Sequence, residues 1–241
     1  MRSLRFKSVF DALFILLIIL FGLTGCSTLP IEQRPDYVPM YGQPETPRPE
    51  FLKGADEAFI KKASSEFGGN RELASMAWAA VGEDYMSKGD TYNAMRRYNQ
   101  AWLLNPNNYV CYWGFGRVML ERHEYDEALK YFEKAKQLIN DDYQKPALIS
   151  DTGAAYSFKA QSIPLSDQAE RDKYFRIANQ HFKEAIELDS SYVEVWRRWA
   201  YSLYREGKYT ESWEKVEKAR SAGANPFPAE FLSALKAELG K

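Results

Sequence analysis

Few side chains in this sequence could do chemistry, and their spacing limits which chemistry that is. The cysteines are Cys26 and Cys111, and the histidines are His123 and His181. Structural zinc needs Cys and His ligands at short, fixed spacings, and these four fall at none of them. No G-x-S-x-G, P-loop or H-E-x-x-H pattern occurs. Gly114-Phe115-Gly116 lacks the third glycine of a phosphate-binding loop and reads as a packing feature. Glu211, Glu214 and Glu217 share a helical face and read as solvated surface. His123 falls in a predicted turn, and His181 reads as a packing residue beside Phe182. No nucleophile, base and acid converge, so no catalytic residue, metal or cofactor is assigned and no enzyme is expected. One thiol has a distinctive setting. Cys26 closes an uncharged apolar run that begins at Ala12, behind Arg2, Arg5 and Lys7.

That run is too short to cross a hydrocarbon core of about 30 Å, which takes roughly 20 apolar residues. A basic start, an apolar middle and a small-residue end read as a secretory signal peptide over residues 1–25. Leu23-Thr24-Gly25-Cys26 resembles the lipobox of bacterial lipoproteins. The resemblance implies cleavage before Cys26, acylation of its thiol and a membrane attachment. Two or more acyl chains hold a protein stably where one does not. In those families Asp after the cysteine favours the inner membrane. Ser27 stands here, so the expected location is the outer membrane, facing the periplasm. Cys111 is then the sole thiol of the mature body, and no disulfide framework is expected.

Residues 26–50 hold six prolines between Pro30 and Pro49. Proline at that density excludes a helix interior. The segment is expected to be an extended, mostly unpacked tether with a reach on the order of 70 Å. The full chain has 241 residues, 32 basic against 33 acidic, and a net charge of -1. Nucleic-acid modules usually carry a clear basic excess, so no nucleic-acid partner is expected.

The body repeats itself. Gly82, Ala94, Tyr98 and Ala101 are followed 34 residues later by Gly116, Ala128, Phe132 and Ala135. Trp78, Tyr85 and Pro106 complete the pattern in the first stretch. It resembles the tetratricopeptide repeat, a pair of antiparallel helices that buries its apolar face only by stacking on neighbours. The resemblance implies an all-α superhelix of four units over residues 71–225. A third unit places Gly153 before Ala178, Phe182 and Ala185. Its turn is longer than the others, so an insertion is expected near 161–173, with Pro164 ending the first helix. The fourth unit carries Trp196, Ala200, Leu203, Ser212, Val216 and Ala219. Capping helices are expected at 51–70 and 226–241, the second starting near Pro228.

Such arrays present a concave face lined by each unit's first helix. The resemblance places Ala79, Glu83 and Met86 there in the first unit, and Trp113, Arg117 and Leu120 in the second. It places Ser150, Ala154 and Ser157 in the third, and Arg197, Tyr201 and Tyr204 in the fourth. Trp, Tyr and Arg dominate binding energy at interfaces. Trp113, Arg117, Arg197, Tyr201 and Tyr204 are therefore the expected partner-binding residues, although Trp113 stands equally as a packing residue between units. One tetratricopeptide subfamily clamps a terminal carboxylate with Lys and Asn where Ala79 and Glu83 stand here, which weighs against that mode. The function expected is an outer-membrane-anchored adaptor for a protein or peptide partner. Similar lipoproteins serve in envelope or appendage assembly. The alternative is a cell-wall-modifying or hydrolytic enzyme on a helical scaffold.

Overall fold

The computed structural model describes residue 30 and residues 34–240. Cys26 and the targeting segment lie outside the described residues. The body is all helical: α1 (Glu50–Ser65), α2 (Arg71–Ser87), α3 (Thr91–Leu104), α4 (Tyr109–Glu121), α5 (Tyr125–Leu138), α6 (Lys145–Ser162), α7 (Gln168–Leu188), α8 (Glu194–Glu206), α9 (Tyr209–Ser221) and α10 (Ala229–Glu238). Among the described residues there is no strand, and no helix is long and apolar enough to cross a membrane.

Local chemistry starts several of these helices. Asn70, Asp90, Asn108 and Asp167 each accept a hydrogen bond from a backbone N–H of the first turn that would otherwise lack a partner. The helices then pair as α2·α3, α4·α5, α6·α7 and α8·α9, each pair stacking on the next. The recurring small residues set how closely they approach. A Cβ at Gly82 would lie 2.6 Å from the Tyr98 ring, and one at Gly116 would lie 2.5 Å from the Phe132 ring. The Tyr98 ring also fills the space beside Gly114 of the next unit, where a Cβ would approach to 2.4 Å. Tyr98 therefore joins two units, and its ring is what Gly82 and Gly114 both face.

The apolar core runs the length of the stack. Met95, Tyr98, Phe115, Val118 and Phe132 are fully buried in the first half, and Phe182, Val195, Trp199 and Leu203 are buried further on. At the front, Phe59 of α1 packs edge-on against Trp78, with ring centroids 5.1 Å apart. At the back, Leu235 of α10 is buried against Val216 and Ala219.

Two expectations are corrected. The insertion near 161–173 is not a loop. It lengthens both helices of the third unit: α6 has 18 residues against 13 in α4, and α7 has 21 against 13 in α9. The turn between them, with Pro164 in it, covers only residues 163–167. The added turns are packed. Arg171 is nearly buried and donates to the Ile163 carbonyl at 2.8 Å, and Phe175 is fully buried. A Gly-Ser replacement of residues 161–171 would therefore remove folded helix.

The tether is the second correction. Residues 34–48 form a strap against the body. Over Pro39–Gly42 the chain turns at the positive φ of Met40 (52°) and Tyr41 (56°), and Pro35–Tyr37 form a short 3-10 turn. Proline suits the first position of such a turn, because its fixed φ is helical and no N–H is needed there. Asn99 of α3 donates to the Val38 carbonyl at 2.9 Å. Asp36 pairs with Arg96 at 2.8 Å. Arg122 donates to the Tyr37 carbonyl at 2.7 Å, with its guanidinium 3.5 Å from the centre of the Tyr37 ring. Arg48 makes two bonds to Asp56, at 2.6 and 2.7 Å, and covers the buried Tyr41 ring. Burial pushes the Tyr41 phenol well above its ordinary value. Replacing residues 35–42 with Gly and Ser should cost about 3 kcal/mol, the scale of re-exposing one aromatic and one aliphatic side chain. Urea denaturation of that variant measures it. An unchanged midpoint would mean that the strap adds nothing.

Candidate functional site

The first helix of each unit faces the concave side, and one charged residue from each lies along its floor. Glu83 and Arg117 each follow the small packing residue of their helix, Gly82 and Gly116, by one place, whereas Asp151 and Arg198 stand two places before Gly153 and Ala200. Their charges alternate, and neighbours pair. Arg117 forms an ion pair with Glu83. Arg198 forms one with Asp151 at 2.8 Å. The ladder is tied into the core from both sides. The buried Tyr98 hydroxyl donates to Glu83 at 2.6 Å, and Trp113 Nε1 donates to Asp151 at 2.7 Å. Arg198 also donates to the Tyr192 hydroxyl at 2.7 Å. Burial pushes the charge on Arg117 and Arg198 down. The carboxylates beside them more than offset this and hold both above their ordinary values.

Two hollows open on this floor. One, of about 300 Å³, is lined by Met86, Leu120, Ala154, Phe158, Tyr201 and Arg205 with Arg117, Glu121, Asp151 and Arg198. The other, of about 370 Å³, is more apolar, with Met76, Ala80, Tyr109, Val110 and Trp113 beside Glu83 and Arg117. Arg117 belongs to both, so the groove is continuous across it.

The expected lining is right throughout the second unit and right in part elsewhere, at Glu83, Met86, Ala154 and Tyr201. Trp113 does both jobs open to it, lining the groove and bonding into the next unit. In the first unit Glu83 and Met86 line the groove as expected, together with Met76 and Ala80, whereas Ala79 is buried in the core. In the third unit Ser150 and Ser157 are fully buried, and Asp151, Ala154 and Phe158 take the lining places. In the fourth unit Arg197 and Tyr204 turn away toward the C-terminal segment. The Arg197 guanidinium lies 5.6 Å from the Phe227 ring centre and bonds to Glu194 at 2.7 Å. Tyr204 packs edge-on against Phe231. The cause is the C-terminal cap, whose aromatic residues cover that side of α8. Tyr201 contacts Phe227 and Phe231 and also lines the groove. Arg198 and Arg205, not proposed from sequence, complete the fourth unit's lining.

The remaining reactive side chains lie elsewhere. Cys111 is fully buried, and burial pushes its thiol well up, away from the nucleophilic thiolate. The His181 ring stacks on Tyr156 at 5.4 Å, and burial lowers its pKa. His123 sits in the turn after α4 with φ 63°. Among the described residues no group of three His, Cys, Asp or Glu could hold a metal ion.

Helix pairs recurring at 34 residues and stacked around one concave face decide the architecture. The chain has the tetratricopeptide-repeat fold. Solved structures agree with this architecture. The Cut9–Hcn1 hetero-tetramer of the APC/C superposes with a TM-score of 0.53 at 15% identity, covering 76% of this chain and 36% of that one. YrrB, described as a TPR protein with an unusual peptide-binding site, gives 0.44 at 20% identity over 68% of this chain and 74% of its own. PilF of Pseudomonas aeruginosa gives 0.46 at 17% identity over 73% and 80%. No protein-family model and no curated protein matches the chain. The tetratricopeptide architecture accounts for the buried glycine positions and for the groove. It does not by itself name an occupant.

Proposed function

We propose that this protein is a lipid-anchored scaffold that docks an extended segment of a partner protein in its concave groove. The observation that carries this reading is the groove floor. Its ladder charges are paired, Glu83 with Arg117 and Asp151 with Arg198, and apolar and aromatic surface lies open on both sides of Arg117. A surface of that kind offers anchor hollows for side chains and no reacting group. The lipobox-like Cys26 followed by Ser27 supports attachment to the outer membrane, facing the periplasm, and assembly of the envelope or of an appendage is the process the scaffold would serve.

Blocking the groove tests it. Ala154 is small and lines the hollow, so Ala154→Trp should fill that space with little effect on melting. Partner captured by the wild-type chain should be lost by this variant and kept by Glu133→Trp on an exposed site of α5. Capture by Ala154→Trp at the wild-type level would reject the groove. The anchor has its own test. Cys26→Ser should release the protein from the outer-membrane fraction, because its stable attachment is gone. A processed variant that still fractionates with that membrane would reject the lipid reading.

A further inference from the structure

Arg205 differs from the other arginines of the fourth unit. Arg197 pairs with Glu194 and Arg198 pairs with Asp151. Among the described residues Arg205 forms no ion pair with a carboxylate. Its guanidinium lies 4.1 Å from the centre of the Phe158 ring and 5.9 Å from that of Tyr201. Burial pushes its pKa down, and the groups that act to raise it are tyrosines. A guanidinium stacked on an aromatic ring uses its face. Its N–H donors lie in the plane and remain available, already oriented, as a fork that matches a carboxylate. A half-buried cation with no counter-ion is costly, and an incoming anion removes that cost.

The surroundings narrow the anion. Glu121 stands on the exposed rim of the same hollow and opposes a doubly charged phosphate more than a singly charged carboxylate. The groove also continues past Arg117 into the apolar hollow around Met76 and Trp113. An occupant therefore has room to extend from Arg205 past Arg117. We propose that the groove selects an internal, extended acidic segment of its partner. One Asp or Glu side chain would bind the Arg205 fork, and an apolar side chain across Arg117 would enter the Met76–Trp113 hollow. This rests on the groove reading above and adds the chemistry of the ligand.

A library of twelve-residue segments, displayed within a loop so that no chain end is free, can be selected on the detergent-solubilised full chain. The wild-type protein should enrich segments with a fixed Asp or Glu. Such a segment, made as a peptide capped at both ends, should bind Arg205→Gln roughly ten- to a hundredfold more weakly, the range for a hydrogen-bonded charge pair. Arg205→Lys should fall between the two, because it keeps the charge and loses the fork. Changing the peptide's acidic residue to its amide should weaken binding to wild type and add little further loss on Arg205→Gln. Thermal melts establish that the variants are folded. If they are not, the peptide's acid-to-amide change on wild type alone decides. Enrichment without an acidic position, or equal affinity for acid and amide peptides, overturns the proposal and leaves the groove reading standing. If the wild-type chain enriches no segment at all, the groove reading fails and this proposal falls with it.

Discussion

Gly114→Leu is expected to disrupt the junction of the first two units and to lower the melting temperature more than any surface change. A Cβ at this position would lie 2.4 Å from the Tyr98 ring. That ring cannot move aside. It is fully buried, Gly82 is pressed against it, and its hydroxyl is held by Glu83 at 2.6 Å. Overpacking of this kind costs about 3 kcal/mol or more, roughly 6–12 °C for a domain of this size. Calorimetry of Gly114→Leu beside Gly54→Ala reads the effect. Nothing lies within 4 Å of a Cβ at Gly54, in a helix interior, so that change should be neutral or slightly stabilising. Combining Gly114→Ala with Tyr98→Leu should be less harmful than the separate effects added together, because each relieves the other's clash. A wild-type melt for Gly114→Leu would contradict the interlock.

Asp151→Leu should be the second severe change. Asp151 is 8% exposed and serves Arg198 at 2.8 Å and Trp113 Nε1 at 2.7 Å. Removing the carboxylate leaves a largely buried guanidinium without its counter-charge and the indole N–H without its acceptor. Breaking a buried pair from one side costs about 3–5 kcal/mol, and the lower end applies because Arg198 keeps some contact with water. Urea denaturation of Asp151→Leu, Arg198→Met and the double variant separates the terms. The double variant should be more stable than Asp151→Leu alone, since the stranded charge is gone. If the two single losses simply add up to that of the double variant, the two residues do not depend on each other and the ladder carries no coupling.

The repeat was legible because small and large residues recur in register. Gly82, Gly116 and their aromatic partners must meet wherever two helices approach closely, so close packing writes its period into the sequence. The charge ladder follows the 34-residue step only from Glu83 to Arg117; Asp151 and Arg198 sit three places earlier on their helices, counted from Gly153 and Ala200. It was missed where the third unit's register was set on Ser150 and Ser157, one residue away from the true lining positions. On a helix one residue is about 100°, enough to turn a groove position into the core. Arg197 and Tyr204 share a helix face with Tyr201, as their spacing requires. The sequence of α8 does not say that Phe227 and Phe231 return to cover that face. The strap was hidden by its prolines. They exclude a long helix, yet they leave short turns whose rings and carbonyls pack well. The insertion was legible as a count of residues, and a count says nothing of their conformation.

The central claim is that the concave face is the surface that holds the partner. Photo-crosslinking in the intact cell tests it most directly. A photoreactive residue would replace Met86 or Ala154 in the groove, or Glu133 or Gln137 at exposed places on α5. The account predicts one and the same partner captured from both groove positions, absent from the α5 positions, and lost from the groove when Arg205→Gln is added. Capture of that partner from Glu133 and Gln137, with none from Met86 and Ala154, would contradict it.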